Sequence, residues 1–234
     1  MNPVSSNEQT VRTTALSPGA SATRPAVAAS SQRVLRNTYA LLALTLLASA
    51  GTASIAVATN APHPGILLTL AGYFGLLFAV VKLRNSGWGV AAVFALTGFM
   101  GFTLGPMLSA TFALPGGSQI VAMAMGATAA TFFGLSAYAL TTRKDFSYMG
   151  GFLMVGLLVA VVAMIANIFL NIPALSLTIS AAVVLVMSGL ILFDTSRIIN
   201  GGETNYIRAT VSLYLNIYNL FIHLLRLLSL GGGD

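Results

Sequence analysis

The sequence predicts an all-α membrane protein with seven transmembrane helices. Three observations carry that prediction. Hydrophobic residues make up 56% of the 234 and charged residues only 7%, with a mean hydropathy of +0.88; soluble domains average about 25% charged. The apolar residues fall into seven blocks, most of them near the ~20 residues a helix needs to cross a bilayer. The basic residues sit in alternate short connectors, which is a signature of membrane orientation.

Residues 1–33 are rich in Ser, Thr, Ala, Pro and Asn, with few large apolar side chains. Such a segment cannot bury enough surface to offset its ordering entropy, so it is expected as a disordered cytoplasmic tail. Residues 34–234 are expected to form the transmembrane domain. Its apolar blocks run 34–59, 64–81, 88–113, 118–141, 147–170, 174–198 and 205–229. The connectors "NAPHP", "KLRNSGW", "LPGGS", "TTRKDF", "LNIPA" and "INGGET" are punctuated by Gly, Pro and Asn, as helix stops require. Helices joined this tightly pack as antiparallel neighbours. The first block holds Ala48-Ser49-Ala50, which resembles a signal-peptidase site; the long polar leader and the apolar run continuing to Ala58 favour a retained helix.

With the N-terminus in the cytoplasm, seven crossings put Arg12, Arg24, Arg33, Arg36, Lys82, Arg84, Arg143, Lys144, Arg197 and Arg208 inside and only Arg226 outside. That ten-to-one partition fixes the orientation; six crossings would return the C-terminus to the cytoplasm. Trp88, Tyr39 and Tyr148 fall near the inner helix ends, where interfacial aromatics are expected. The net charge of +6 is therefore distributed for a membrane and not for nucleic acid. The absence of cysteine excludes disulfides, thiolate catalysis and Cys-type zinc sites. His63 and His223 are far apart and outside any H-E-x-x-H pattern, so neither a metal centre nor a cofactor is expected.

Small residues recur inside the blocks: Gly72 and Gly75; Gly98, Gly101 and Gly105; Gly126 and Gly134; Gly151 and Gly156. In lipid they let backbones approach closely. Gly105-Pro106 in "GFMGFTLGPML" should kink helix three, because proline removes a backbone donor; dense packing and a moving hinge are both consistent with the pattern. In helix seven, Ser212, Asn216, Asn219, His223 and Arg226 share one face at spacings of four, three, four and three. A stripe this polar cannot face lipid, which makes helix seven a central element.

Asp194, near the cytoplasmic end of helix six, is the one acid within a predicted helix. The hairpin to helix seven should bring it to the level of Thr210, with Asn216 about 9 Å deeper. Three readings compete: an ion pair with Arg197 or Arg208 that locks a helix end, a proton-sensitive latch, and catalysis, for which no positioned partner is evident. His223 reads as a hydrogen-bonded member of the stripe or as a proton relay; Arg226 should snorkel to the outer interface. Calcium wants six to eight oxygen ligands, usually several from carboxylates, so a buried high-affinity site is not available; a transient path lined by Asp194, Asn216 and Asn219 stays open.

The stretch "ILFDTSRIINGGETNYIRATVSLYLNIYNLF", supported by "QRVLRNTYALLALTL", "FALTGFMGFTLGPML", "SAYALTTRKDFSYMGGFL" and "ANIFLNIPAL", resembles the Bax inhibitor-1 family in its bacterial YccA-type branch. The likeness runs in order from about residue 32 to the end. It implies a seven-helix fold whose last helix is surrounded by the other six, in a bacterial inner membrane. It also implies binding and modulation of FtsH, a membrane-anchored ATP-dependent protease, with the N-terminal tail as a segment the protease can engage. Other members of the wider family are pH-sensitive calcium leak channels, in which acids on helices six and seven share a proton. The helix-six acid matches Asp194, but the helix-seven acid falls at Asn216. An amide cannot titrate, so Asp194 and Asn216 can form a hydrogen-bonded pair and not a dicarboxylate switch; any pH response would rest on Asp194 or His223.

Overall fold

The structure, a computed structural model, describes residues 19–231. Among them are seven α-helices, a single 3-10 turn and no strands. The helices are α1 (Gly19–Ala58), α2 (Ile66–Leu83), α3 (Trp88–Phe112), α4 (Gly117–Thr142), α5 (Gly150–Leu170), α6 (Pro173–Ile199) and α7 (Tyr206–Gly231), with the 3-10 turn Ser147–Met149 before α5. All seven contain a stretch long and apolar enough to cross a membrane, that of α1 beginning at Ser30.

Local chemistry sets the boundaries. Gly65, Gly116 and Gly201 take positive φ at the turns before α2, α4 and α7, a region glycine enters without a steric penalty. Pro173 opens α6 at its first position, where a missing N–H costs nothing. Asn205 precedes α7, and its Oδ1 accepts the N–H groups of Ile207 and Arg208 at 3.0 and 3.1 Å, satisfying two donors the helix start would leave free. Helix α1 differs from expectation: it begins at Gly19, inside the stretch 1–33 expected to be a tail. Alanines 20, 22, 26, 28 and 29 carry high helix propensity and extend the helix ahead of its apolar block. The rest of the expected tail, residues 1–18, lies outside the described residues.

Packing follows the distribution of small and polar residues. Helix α3 lies along α1, and a Cβ on Gly101 would sit 2.2 Å from the Ser49 carbonyl oxygen, while one on Gly105 would sit 2.4 Å from the Ala56 Cβ. These two glycines bring the backbones together, as close packing in lipid requires. Gly75, Gly126, Gly134 and Gly151 face open space instead, so the small-residue pattern marks helix interfaces within the chain at only some of its positions. Helix α3 remains helical through Pro106. Ser49, of the Ala48-Ser49-Ala50 triplet, is buried, which makes α1 an integral part of the bundle.

Helix α7 packs against α1, α2, α3, α4 and α6; α5 rests on α6 and makes no close backbone approach to α7. Five of the other six helices thus approach α7. The reason is compositional: α5 is the most apolar of the spans, with only Leu153 and Ala160 buried, and its polar Asn167 is met by Ser176 of α6. The connectors at one end are tied together. Asn205 Nδ2 donates to the Arg84 carbonyl at 3.1 Å and to Asn85 Oδ1 at 2.9 Å, and Ser196 Oγ donates to the Lys144 carbonyl at 3.0 Å. This basic end gathers the turns after α2, α4 and α6.

Candidate functional site

The site forms where α6 and α7 face each other. Residues Ser176, Ser180, Val183, Met187, Ile191, Asp194 and Ile198 of α6 are all buried at helical spacing, which lays a single stripe along α7. That stripe is polar at both ends and apolar in between.

Near the basic end, one oxygen of Asp194 accepts two hydrogen bonds. Ser212 Oγ donates to Oδ2 at 2.5 Å and Asn216 Nδ2 donates to the same atom at 2.8 Å. Asp194 is 9% exposed and Asn216 6%. The acid reaches past the expected level of Thr210, because side chains on a helix lean toward its N-terminus: Asn216 leans back toward the start of α7 and Asp194 leans inward along α6. A cavity of about 80 Å³ opens beside the acid, lined by Asp194, Arg197, Ile198, Glu203, Arg208, Ala209 and Ser212. That volume holds a few water molecules.

The ion-pair reading of Asp194, one of the three, finds no close pair with Arg197 or Arg208 among the described residues. Arg208 Nε lies 3.6 Å from Glu203 Oε2. Arg197 Nη2 donates to the Gly202 carbonyl at 3.2 Å, and its guanidinium stacks 5.5 Å from the Phe193 ring centroid. Both arginines stay in the mouth of the cavity, where water solvates them, and the α6–α7 turn offers Arg197 an acceptor and Arg208 a carboxylate nearer than the buried acid. The side-chain hydrogen bonds that hold Asp194 come from the neutral Ser212 and Asn216.

At the opposite end a second cluster forms. His223 Nδ1 lies 3.2 Å from Ser180 Oγ, and Ser180 Oγ donates to the Ser176 carbonyl at 2.9 Å. Ser176 Oγ accepts from Asn167 Nδ2 at 2.6 Å and from Arg226 Nη2 at 3.2 Å. Arg226 is exposed and is anchored by that serine. Asn219 belongs to neither cluster: its Nδ2 donates to the Leu215 carbonyl of its own helix at 2.8 Å. Buried Val183, Met187, Ile191, Ile217 and Leu220 lie between the two clusters and form a dry layer.

The structure also reveals a polar face that pattern alone assigns to the apolar side of α7. Tyr214 Oη shares a 2.8 Å hydrogen bond with Ser49 Oγ and donates to the Thr97 carbonyl at 3.2 Å; Tyr218 Oη donates to the Met100 carbonyl at 3.2 Å. The two rings stack at 5.9 Å. A tyrosine counts as apolar in a periodicity reading, yet its hydroxyl finds a partner when buried. Ser176 and Ser180 were equally legible in principle, since they continue the Asp194 face at helical spacing. Among the described residues no group of three or more His, Cys, Asp or Glu side chains is placed to hold a metal.

Comparison with known proteins places this arrangement. The family described as inhibitor of apoptosis-promoting Bax1 matches residues 31–233. A protein of Escherichia coli K12 named modulator of FtsH protease YccA is 53% identical over 88% of this chain and 93% of its own. Its counterpart in E. coli O6:H1, named inner membrane protein YccA, is matched to the same extent, and an uncharacterised protein of Pseudomonas aeruginosa is 52% identical over 86% of this chain and 90% of its own. With the match covering all seven spans and the α6–α7 site, the chain belongs to the Bax inhibitor-1 family.

Proposed function

We propose that this chain is an inner-membrane protein that binds and modulates an FtsH-type ATP-dependent membrane protease. The observation that carries the reading is the 53% identity, over 88% of this chain, to the E. coli protein named as modulator of that protease. In this reading the N-terminus is cytoplasmic, the C-terminus periplasmic, and residues 1–33 include the handle the protease engages. Helix α7 is the central element, supported by its five helical neighbours. In this reading the chain works by binding, with the Ser212 and Asn216 donors both directed at Asp194. The test is co-purification from native membranes together with turnover of the protease's membrane substrates. Recovery of the protease and faster substrate turnover on deletion support the reading; loss of both results removes it.

A second reading, a pH-sensitive calcium or cation leak, is favoured by one observation: Asp194 borders a cavity at one end of a polar-ended stripe. The dry layer from Val183 to Ile191 closes the path in this conformation. Liposomes loaded with a calcium dye test it. Flux that rises with the protein, loses its pH dependence in Asp194→Asn and gains it in Asn216→Asp supports a leak; flux equal to that of empty liposomes rejects it.

A further inference from the structure

A groove of about 240 Å³ opens between α1 and α4 at the basic end, lined by Gln32, Leu35, Arg36, Tyr39 and Leu140. It exists because α1 and α4 flank α6 and α7 without approaching each other's backbones. Rings bridge the two helices, Tyr39 and Phe132 meeting at 5.8 Å.

We propose that this groove is a binding site for an anionic phospholipid, with the phosphodiester at Arg36 and Gln32 and an acyl chain lying along Leu35, Tyr39 and Leu140. Three features support it. The polar and apolar linings are ordered along α1: Gln32 and Arg36 come first, and Tyr39 lies about 10 Å further along the helix from Gln32, the sequence of headgroup and tail in a leaflet. Arg36 is exposed and has no carboxylate partner among the described residues. No acid lines the groove, and Glu203 is paired with Arg208, so among the described residues Arg36 is not neutralised by an ion pair. Finally, the Tyr39 hydroxyl is buried with no hydrogen-bond partner, a donor that an ester oxygen of the lipid could satisfy on a small rotation of the ring. Basic pockets between transmembrane helices at the cytoplasmic side recognise anionic headgroups by this chemistry.

The full chain, purified in mild detergent, is incubated with equal amounts of phosphatidylglycerol and phosphatidylcholine, and retained lipid is measured by native mass spectrometry. Phosphatidylglycerol should be retained about fivefold over phosphatidylcholine, the factor one interfacial arginine contributes. Arg36→Gln should erase that preference, and Leu140→Trp, which fills the groove, should lower retention of both lipids. Arg33→Gln, a basic residue outside the groove, should change nothing. Equal retention of the two lipids by the unaltered chain, an Arg33→Gln loss as large as that of Arg36→Gln, or an adduct with the mass of a polypeptide in place of a lipid would each overturn the proposal. Arg36 is exposed, so its variant folds and decides the matter even where Leu140→Trp does not.

Discussion

At the residue scale, the oxygen of Asp194 that accepts from both Ser212 and Asn216 makes a sharp stability prediction. Removing the acceptor leaves a buried amide donor and a half-buried hydroxyl without a partner, and a buried unsatisfied group costs about 1–3 kcal/mol. Asp194→Ala should therefore lower stability by about 2 kcal/mol, whereas Asp194→Asn keeps a carbonyl acceptor and should lose about half as much. Thermal unfolding in detergent reads the difference; equal losses would mean that the acid's role is charge and not hydrogen bonding. In the α4–α5 turn, Asp145 behaves oppositely to a buried acid. Hydrogen bonds from the Ser147 side chain and backbone N–H hold its carboxyl below the ordinary aspartate range. A lowered folded-state value means that its contribution to the turn is complete above the unfolded value and is lost as pH falls through the folded one. The carboxyl carbon resonance of Asp145 should accordingly titrate at lower pH than a free aspartate, and Ser147→Ala should raise that midpoint. An unchanged midpoint would show that the backbone N–H alone holds the carboxylate.

At the element scale, the interface of α1 with α3 depends on two glycines. Any Cβ at Gly101 meets the Ser49 carbonyl oxygen at 2.2 Å and the Thr52 hydroxyl at 2.4 Å. Backbone cannot give way as a flexible side chain can, so Gly101→Ala should force the helices apart and cost about 1–3 kcal/mol. The shift would also strain the Ser49–Tyr214 bond that joins α1 to α7. Gly126 on α4 has open space around it, and Gly126→Ala should lie within about 0.5 kcal/mol of the parent. Thermal unfolding of the two variants side by side checks this; similar losses at both positions would point to helix flexibility and not packing. Both glycines look alike in the sequence. Their difference arises from tertiary neighbours, which spacing along one helix does not encode.

At the scale of the whole molecule, the number of apolar helices, the limits of all but the first and the Asp194–Asn216 pairing were legible because lipid imposes strict rules. Backbone polar groups must be satisfied within each segment, so apolar blocks closed by Gly, Pro and Asn read directly as helices, and the polar stripe of α7 had to turn inward. What stayed hidden depended on three-dimensional competition. Arg197 and Arg208 had nearer partners than Asp194, Tyr214 and Tyr218 passed for apolar, and the alanines ahead of residue 30 extended α1 beyond its apolar block. Orientation is the remaining global property, and it should behave as all-or-none. The turns after α2, α4 and α6 share one end, with Asn205 bonded to Arg84 and Asn85, and Ser196 to Lys144. Inverting the bundle would carry ten of the eleven basic residues across the membrane together, against the retention of Lys and Arg in the cytoplasm. Inverting a single helix would break the antiparallel pairing with both of its chain neighbours. Alkaline phosphatase fused after Asp234 should therefore be active, and a fluorescent protein at the same place dark. Neutralising Arg143 and Lys144 together should leave that pattern intact, because eight basic residues still hold the same end inside. A fluorescent, phosphatase-negative C-terminus would mean either an inverted bundle or an even number of crossings; a reporter at the N-terminus tells them apart, and a cytoplasmic N-terminus would then require one of the seven apolar helices to lie outside the bilayer.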